Sequence, residues 1–139
     1  MHIITVTKKT TAKPQAIWGL WENVPERTRW DDSLERAQLR GPFQPGVRGV
    51  VKLKEQPERT FAIVDCVPLQ EYTDRFFLPM GGKVDWVHTI TEAEGGHEVR
   101  FDVSVNGPTS FILGPIMKKI LGHELPLTVD KLVALAEKA

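Results

Sequence analysis

Apolar and polar residues alternate over residues 2–9, His-Ile-Ile-Thr-Val-Thr-Lys-Lys, and this period of two predicts a first strand. The period then changes. Pro14 suits a first helical turn, where its missing N–H is not needed. Behind it Ile17, Trp18, Leu20, Trp21 and Val24 give one broad apolar face. Pro25 can open a second short helix over residues 25–29, so 14–29 reads as two helices in tandem.

From Trp30 to Asn106 the signals are those of strands, placed at 34–40, 47–54, 59–67, 71–78, 83–92 and 97–106. Gly41-Pro-Phe-Gln-Pro-Gly46, Glu55-Gln-Pro57, Pro68, Pro79-Met-Gly-Gly82 and Ala93-Glu-Gly-Gly96 separate them. These separators are short, so neighbouring strands should pair antiparallel. The last hairpin has a legible register. With i + j = 189, Val84, Trp86, His88 and Ile90 stand opposite Val105, Val103, Phe101 and Val99. The other face then pairs Thr89 with Arg100, Val87 with Asp102 and Asp85 with Ser104. One face is apolar and the other mostly polar, as a half-buried sheet requires.

After Asn106-Gly107-Pro108 the period becomes helical to the end. Leu113, Met117, Ile120, Leu121, Leu125, Val129, Leu132, Val133 and Ala136 fall at helical spacings. They predict one helix over 109–138, or two joined at a kink near Pro126, which cannot donate to the carbonyl of Gly122. One strand, two short helices, six strands and a long helix make an α+β fold with that helix on one sheet face.

Composition narrows the function classes. The 139 residues suit a single domain over 1–139, and 41% hydrophobic content supports a core. Lys plus Arg equals Asp plus Glu at 18 each, which argues against a dedicated nucleic-acid binder. No segment approaches the ~18 apolar residues of a membrane span, so stable membrane insertion is not expected. The single Cys66 rules out an internal disulfide framework and points to a reducing, cytoplasmic setting. The lysines at the N-terminus follow the apolar residues, the wrong order for a signal peptide.

Most motifs with chemical potential have a plainer reading. Gly41–Gly46 has the glycine spacing of a phosphate loop, but Val47 and Arg48 stand where Lys and Ser or Thr are needed. His2, His88, His97 and His123 show no metal-binding spacing, so no metal or other cofactor is expected. Asp31, Asp32 and Glu35 beside Arg27, Arg29 and Arg36 read as a solvated loop of mixed charge. Cys66 lies mid-strand without a local base and reads as an inert buried thiol. No nucleophile–base spacing is recognisable, so no catalytic residue is assigned.

Several local motifs point to one family. Thr11-Ala-Lys-Pro-Gln-Ala-Ile-Trp18 resembles the strand-to-helix entry of the START/Bet v 1-like (SRPBCC) superfamily. Trp30-Asp31 resembles its Trp-Asp/Asn before strand two, and Pro45-Gly-Val-Arg-Gly49 its Pro-Gly-x-x-Gly turn before strand three. Asn106-Gly-Pro108 resembles the entry to its C-terminal helix. Within the superfamily the chain is similar to the small bacterial polyketide cyclase/dehydrase and lipid-transport-like proteins. The resemblance implies a helix-grip fold, in which a curved seven-stranded antiparallel sheet wraps a long C-terminal helix. It also implies a cavity between them for an apolar ligand.

If the apolar face of the last hairpin is the concave one, that cavity is lined by Trp86, His88, Phe101 and Val103, with Leu113 and Met117 from the helix. There His88 has three readings: a structural histidine bonded within the core, a ligand contact, or an acid–base group. Three functions compete. The favoured one is non-enzymatic binding of a small hydrophobic molecule such as a lipid, polyketide or aromatic. The second is a cyclase or dehydratase, which a second acid or base within reach of His88 would favour. The third is an interaction protein resembling quinone-chaperone or ribosome-association members, which an exposed apolar patch outside the pocket would favour. The sequence does not fix an oligomeric state.

Overall fold

The computed structural model describes residues 1–139. Its elements are β1 (His2–Thr10), α1 (Pro14–Glu22), a 3₁₀ helix (Val24–Arg29), β2 (Leu34–Leu39), β3 (Arg48–Leu53), β4 (Arg59–Val67), β5 (Glu71–Phe77), a 3₁₀ turn (Pro79–Gly81), β6 (Lys83–Ala93), β7 (Gly96–Asn106) and α2 (Ser110–Glu137). The strands form one curled antiparallel sheet in the order β1-β7-β6-β5-β4-β3-β2. Six strands follow one another as a meander. The seventh, β1, closes on the far edge beside β7, so α1 and the 3₁₀ helix must carry the chain from one edge of the sheet to the other.

The register read from the alternation holds along the whole last hairpin, from Lys83↔Asn106 to Ala93↔Gly96. Val84, His88, Ile90, Val99, Phe101, Val103 and Val105 are buried on its inner face. On β4 a register shift between Ile63 and Asp65 puts Phe61, Ile63 and then Cys66 opposite Phe76, Asp74 and Tyr72. Cys66 thereby faces inward but is only half-buried, not the fully buried thiol its position suggested. The Pro45–Gly49 turn has two physical requirements. Gly46 sits at φ 90°. A Cβ on Gly49 would fall 2.3 Å from the Gln38 carbonyl and 2.7 Å from the Phe61 ring.

α2 runs unbroken through Pro115 and Pro126, which settles the alternative of one helix or two in favour of one. Gly122 is exposed, so water can satisfy the carbonyl that Pro126 cannot reach. The apolar stripe is seated only in its second half. Leu125, Val129, Leu132, Val133 and Ala136 are buried, whereas Gly114, against Met1 and Ile3, is the one buried residue before them. Ile120, counted in the stripe, is 50% exposed. Polar contacts hold the same half: Lys8 Nζ to Asp130 Oδ1 at 2.7 Å, Thr10 Oγ1 to Glu137 Oε2 at 2.7 Å and Lys131 Nζ to Asp32 Oδ1 at 2.6 Å.

Candidate functional site

The chemistry gathers where α1 and the 3₁₀ helix cross the concave face. Ile17, Trp18 and Trp21 are the buried face of α1. The next segment repeats every three residues rather than every 3.6, so side chains at i and i+3 line up. Val24, Arg27 and Trp30 therefore all point inward and are all buried. Arg27 is thus not part of the solvated charge cluster in which its neighbours place it. The other members of that cluster do stay outside: Arg36 pairs with Glu35 and Glu58 at the surface, and Asp31 accepts from the Ser33 amide and hydroxyl.

Arg27 Nη1 donates to Asp74 Oδ2 at 2.7 Å, and its Nε donates to the Trp21 carbonyl at 3.0 Å. Its guanidinium lies 5.4 Å from the centre of the Tyr72 ring. Tyr72 stacks on His88 with ring centroids 4.1 Å apart and planes 4° from parallel. Trp21 meets both rings edge-on at 5.4 Å, and Phe101 meets His88 at 4.6 Å. Asp74 comes from β5 with the parity of Tyr72 and Phe76, so it belongs to the inner face.

This cluster holds all the buried side-chain polar atoms that lack a hydrogen-bond partner: Trp21 Nε1, Arg27 Nη2, Tyr72 Oη, Asp74 Oδ1 and His88 Nδ1. Their electrostatics are those of a dry site. Burial, followed by the charge of Arg27, holds His88 well below the usual histidine range, so the imidazole is neutral at pH 7. Burial lifts the Tyr72 phenol well above its ordinary value, and the opposing pull of Arg27 is smaller. Burial also raises the Asp74 carboxyl, an effect only partly reversed by Arg27. The bonded Arg27–Asp74 pair supplies one charge of each sign. Elsewhere, burial first and then Glu22 push the Cys66 thiol up, away from reactivity.

The six residues expected to line a cavity are divided. His88, Phe101 and Val103 are buried side by side on the inner face, paired across β6 and β7 as His88↔Phe101 and Trp86↔Val103. Trp86 and Met117 are half-buried and border the same core, and Leu113, one turn before Met117, is half-buried. None of the six lines the surface groove beside Phe43 or the smaller hollow between Asp32–Ser33 and Glu124–Thr128. The larger, about 690 Å³, lies between Glu22–Pro25 and Gln38–Phe43. Phe43 forms one wall of it and reaches inward, with its ring 5.0 Å from Tyr72 and 5.7 Å from Trp18.

Arg27, Tyr72, Asp74 and Trp21 were missed as site residues. An acid at the parity of an apolar strand face was the available signal for Asp74. The signal for Arg27 was the spacing Val24, Arg27, Trp30.

A curled seven-stranded antiparallel sheet gripping a long C-terminal helix is the helix-grip arrangement. Residues 1–137 match the polyketide cyclase / dehydrase and lipid transport family, and the chain belongs to it. No curated protein matches the chain in sequence. Among solved structures, protein MLL2253 from Mesorhizobium loti is similar at 15% identity and TM-score 0.75, over 98% of this chain and 97% of that one. A START superfamily protein from Mycobacterium smegmatis is similar at 16% identity and TM-score 0.72, over 99% of each chain. DynU16, from the dynemicin biosynthetic locus, is similar at 15% identity and TM-score 0.68, over 93% of this chain and 46% of its own. At these identities the likeness is one of fold.

Proposed function

We propose that the protein binds a small hydrophobic molecule inside the grip, without catalysing its conversion. The observation that carries this reading is the gathering of five unpartnered polar atoms within one buried aromatic wall. An isolated polar atom kept from water costs about 1–3 kcal/mol, and a ligand that supplies partners recovers part of it. The apolar body of such a ligand would lie along Trp86, Phe101 and Val103 towards Leu113 and Met117, gaining roughly 25 cal/mol per Å² buried. The family description, which couples cyclase and dehydrase activity with lipid transport, is compatible with such a ligand. The enzyme alternative needs an acid or base paired with His88. Asp74 is instead committed to Arg27, and His88 Nδ1 has no hydrogen-bond partner.

Native mass spectrometry of protein purified from its own host tests this reading. An adduct released on denaturation is expected. A bare chain in every preparation would count against it.

One observation favours the interaction alternative as a second reading. Ile112, Ile116 and Ile120 stand 50–53% exposed at i, i+4 and i+8 on the outer side of α2, with Phe111 69% exposed beside them. Replacing Ile116 and Ile120 by Ser separates the two readings, because it should leave a pocket ligand bound and abolish a partner contact.

A further inference from the structure

The polar cluster can be read for the kind of head group it takes, given that the grip binds an apolar molecule as proposed above. The unpartnered atoms are mostly donors. Trp21 Nε1 and Arg27 Nη2 only donate, Tyr72 Oη can donate or accept, Asp74 Oδ1 only accepts, and a neutral imidazole Nδ1 does either according to its tautomer. A complementary head group therefore offers acceptors and at least one donor of its own, as a hydroxyl or a hydroxy-carbonyl group does.

Charge narrows the choice. Asp74 already matches Arg27 through a 2.7 Å contact, and both side chains are almost wholly buried. A ligand anion would add a third charge to a dry site with no cation left to meet it. A ligand cation would face the same lack of a free acid. The surrounding rings of Trp18, Trp21, Phe43, Tyr72 and Phe101 meet one another edge-on at 5.0–6.1 Å, so the wall about the cluster is aromatic and suits an aromatic ligand.

The groove suggests how such a ligand would arrive. Phe43 is half-buried on the Gly41–Gly46 loop, and its ring stands between the 690 Å³ groove and the Tyr72–Trp18 wall. Glu22, on the opposite lip, accepts the Trp18 indole N–H at 3.0 Å and fixes that ring. Of the aromatic side chains touching Tyr72, Phe43 is the one carried by a loop, whereas the others sit on α1 or the sheet.

We propose that Trp21, Arg27, Tyr72, Asp74 and His88 form the seat for the uncharged hydroxyl or hydroxy-carbonyl head of an aromatic ligand, which enters from the groove when Phe43 swings aside. The test uses 2-naphthol as a reporter, excited beyond the tryptophan absorption band, with naphthalene and 2-naphthoate as competitors. Wild-type protein should prefer 2-naphthol to naphthalene by about tenfold, the value of one good hydrogen bond, and should bind 2-naphthoate more weakly than 2-naphthol. Tyr72→Phe removes a hydroxyl that has no partner, so the fold should persist while the preference shrinks several-fold. The double variant Arg27→Met/Asp74→Leu should remove it. Phe43→Ala should speed association of 2-naphthol in stopped flow.

If neither naphthalene nor 2-naphthol binds, the binding function itself falls. If both bind equally, the grip binds apolar molecules but the polar seat is overturned. A preference unchanged in both seat variants overturns the assignment of residues. Stronger binding of 2-naphthoate overturns the uncharged class, and an unaltered association rate in Phe43→Ala overturns the route.

Discussion

The two ends of the grip are held by opposite means. Under the second half of α2 the interior is aliphatic: Leu125, Val129, Leu132, Val133 and Ala136 are buried, and the polar contacts of this region lie at its rim. Under α1 and the 3₁₀ helix the interior is aromatic and carries an ion pair, a phenol, an indole N–H and an imidazole, with five polar atoms unpartnered. The first arrangement stabilises by removing apolar surface from water. The second also buries apolar surface in its rings, but against that gain each unpaired atom costs about 1–3 kcal/mol and the ion pair has lost its hydration. If the proposed ligand binds there, the polar end gives up part of its stability to recognition.

Substitutions at the two ends should sharpen that contrast, and the largest effect belongs to the polar end. Asp74→Ala leaves the Arg27 charge buried and unpaired, and should destabilise by about 3–5 kcal/mol on chemical denaturation. At the aliphatic end Leu132→Ala should cost about 2–5 kcal/mol through lost burial and a residual cavity. The two differ in rescue. Replacing both members of the pair, Arg27→Met with Asp74→Leu, should be neutral or stabilising by about 1–4 kcal/mol. A strongly destabilised double variant would show that the polar end supports the fold, and the contrast would break.

A pH series isolates His88. Its folded pKa lies well below its unfolded value of about 6.5, chiefly through burial and then through Arg27. The unfolded state therefore binds the proton first. Stability from this group is complete above pH 6.5 and is lost as pH falls below it. Wild-type denaturation midpoints should drop between pH 7.5 and pH 5.5, and His88→Phe should flatten that drop. Parallel curves would mean that folding leaves the His88 pKa where it stands in the unfolded chain. The smallest effect is expected in the unseated part of α2, where Ile116→Ser should change stability by no more than about 0.5 kcal/mol.

Legibility in the sequence follows the same division. The aliphatic end and the hairpin register were open to reading, because periods of two and 3.6 with apolar residues at one phase allow few alternatives. In the first half of α2 the pattern misled at Ile120, which shares the helical spacing of the stripe but is exposed beside Phe111, Ile112 and Ile116 on a side that nothing in the fold covers. The polar end was legible only in part. His88 stood out because it alternates with Val84, Trp86 and Ile90. Arg27 did not, because the chain switches to a three-residue period after Pro25, and charge neighbours along the sequence suggested solvent. Tyr72 and Asp74 share the inward phase of β5, but their strand was placed without a partner register, so their meeting with Arg27 depended on tertiary contact. The Cys66 side chain was misplaced in depth for a related reason: the shift after Ile63 is a property of strand pairing, not of composition.

The central claim is that an apolar ligand with a polar head enters the aromatic end of the grip. The four tryptophan indole N–H groups report on it directly in a ¹⁵N–¹H NMR titration with 2-naphthol. Trp18 Nε1 donates to Glu22 and Trp30 Nε1 donates to the Leu20 carbonyl, whereas Trp21 Nε1 has no partner. The Trp21 resonance should move downfield with saturation as it gains an acceptor, while the Trp30 resonance holds its position. Shifts confined to the backbone amides of Ile112, Ile116 and Ile120, with all four indoles unmoved, would contradict the claim and place the ligand on the outside of α2.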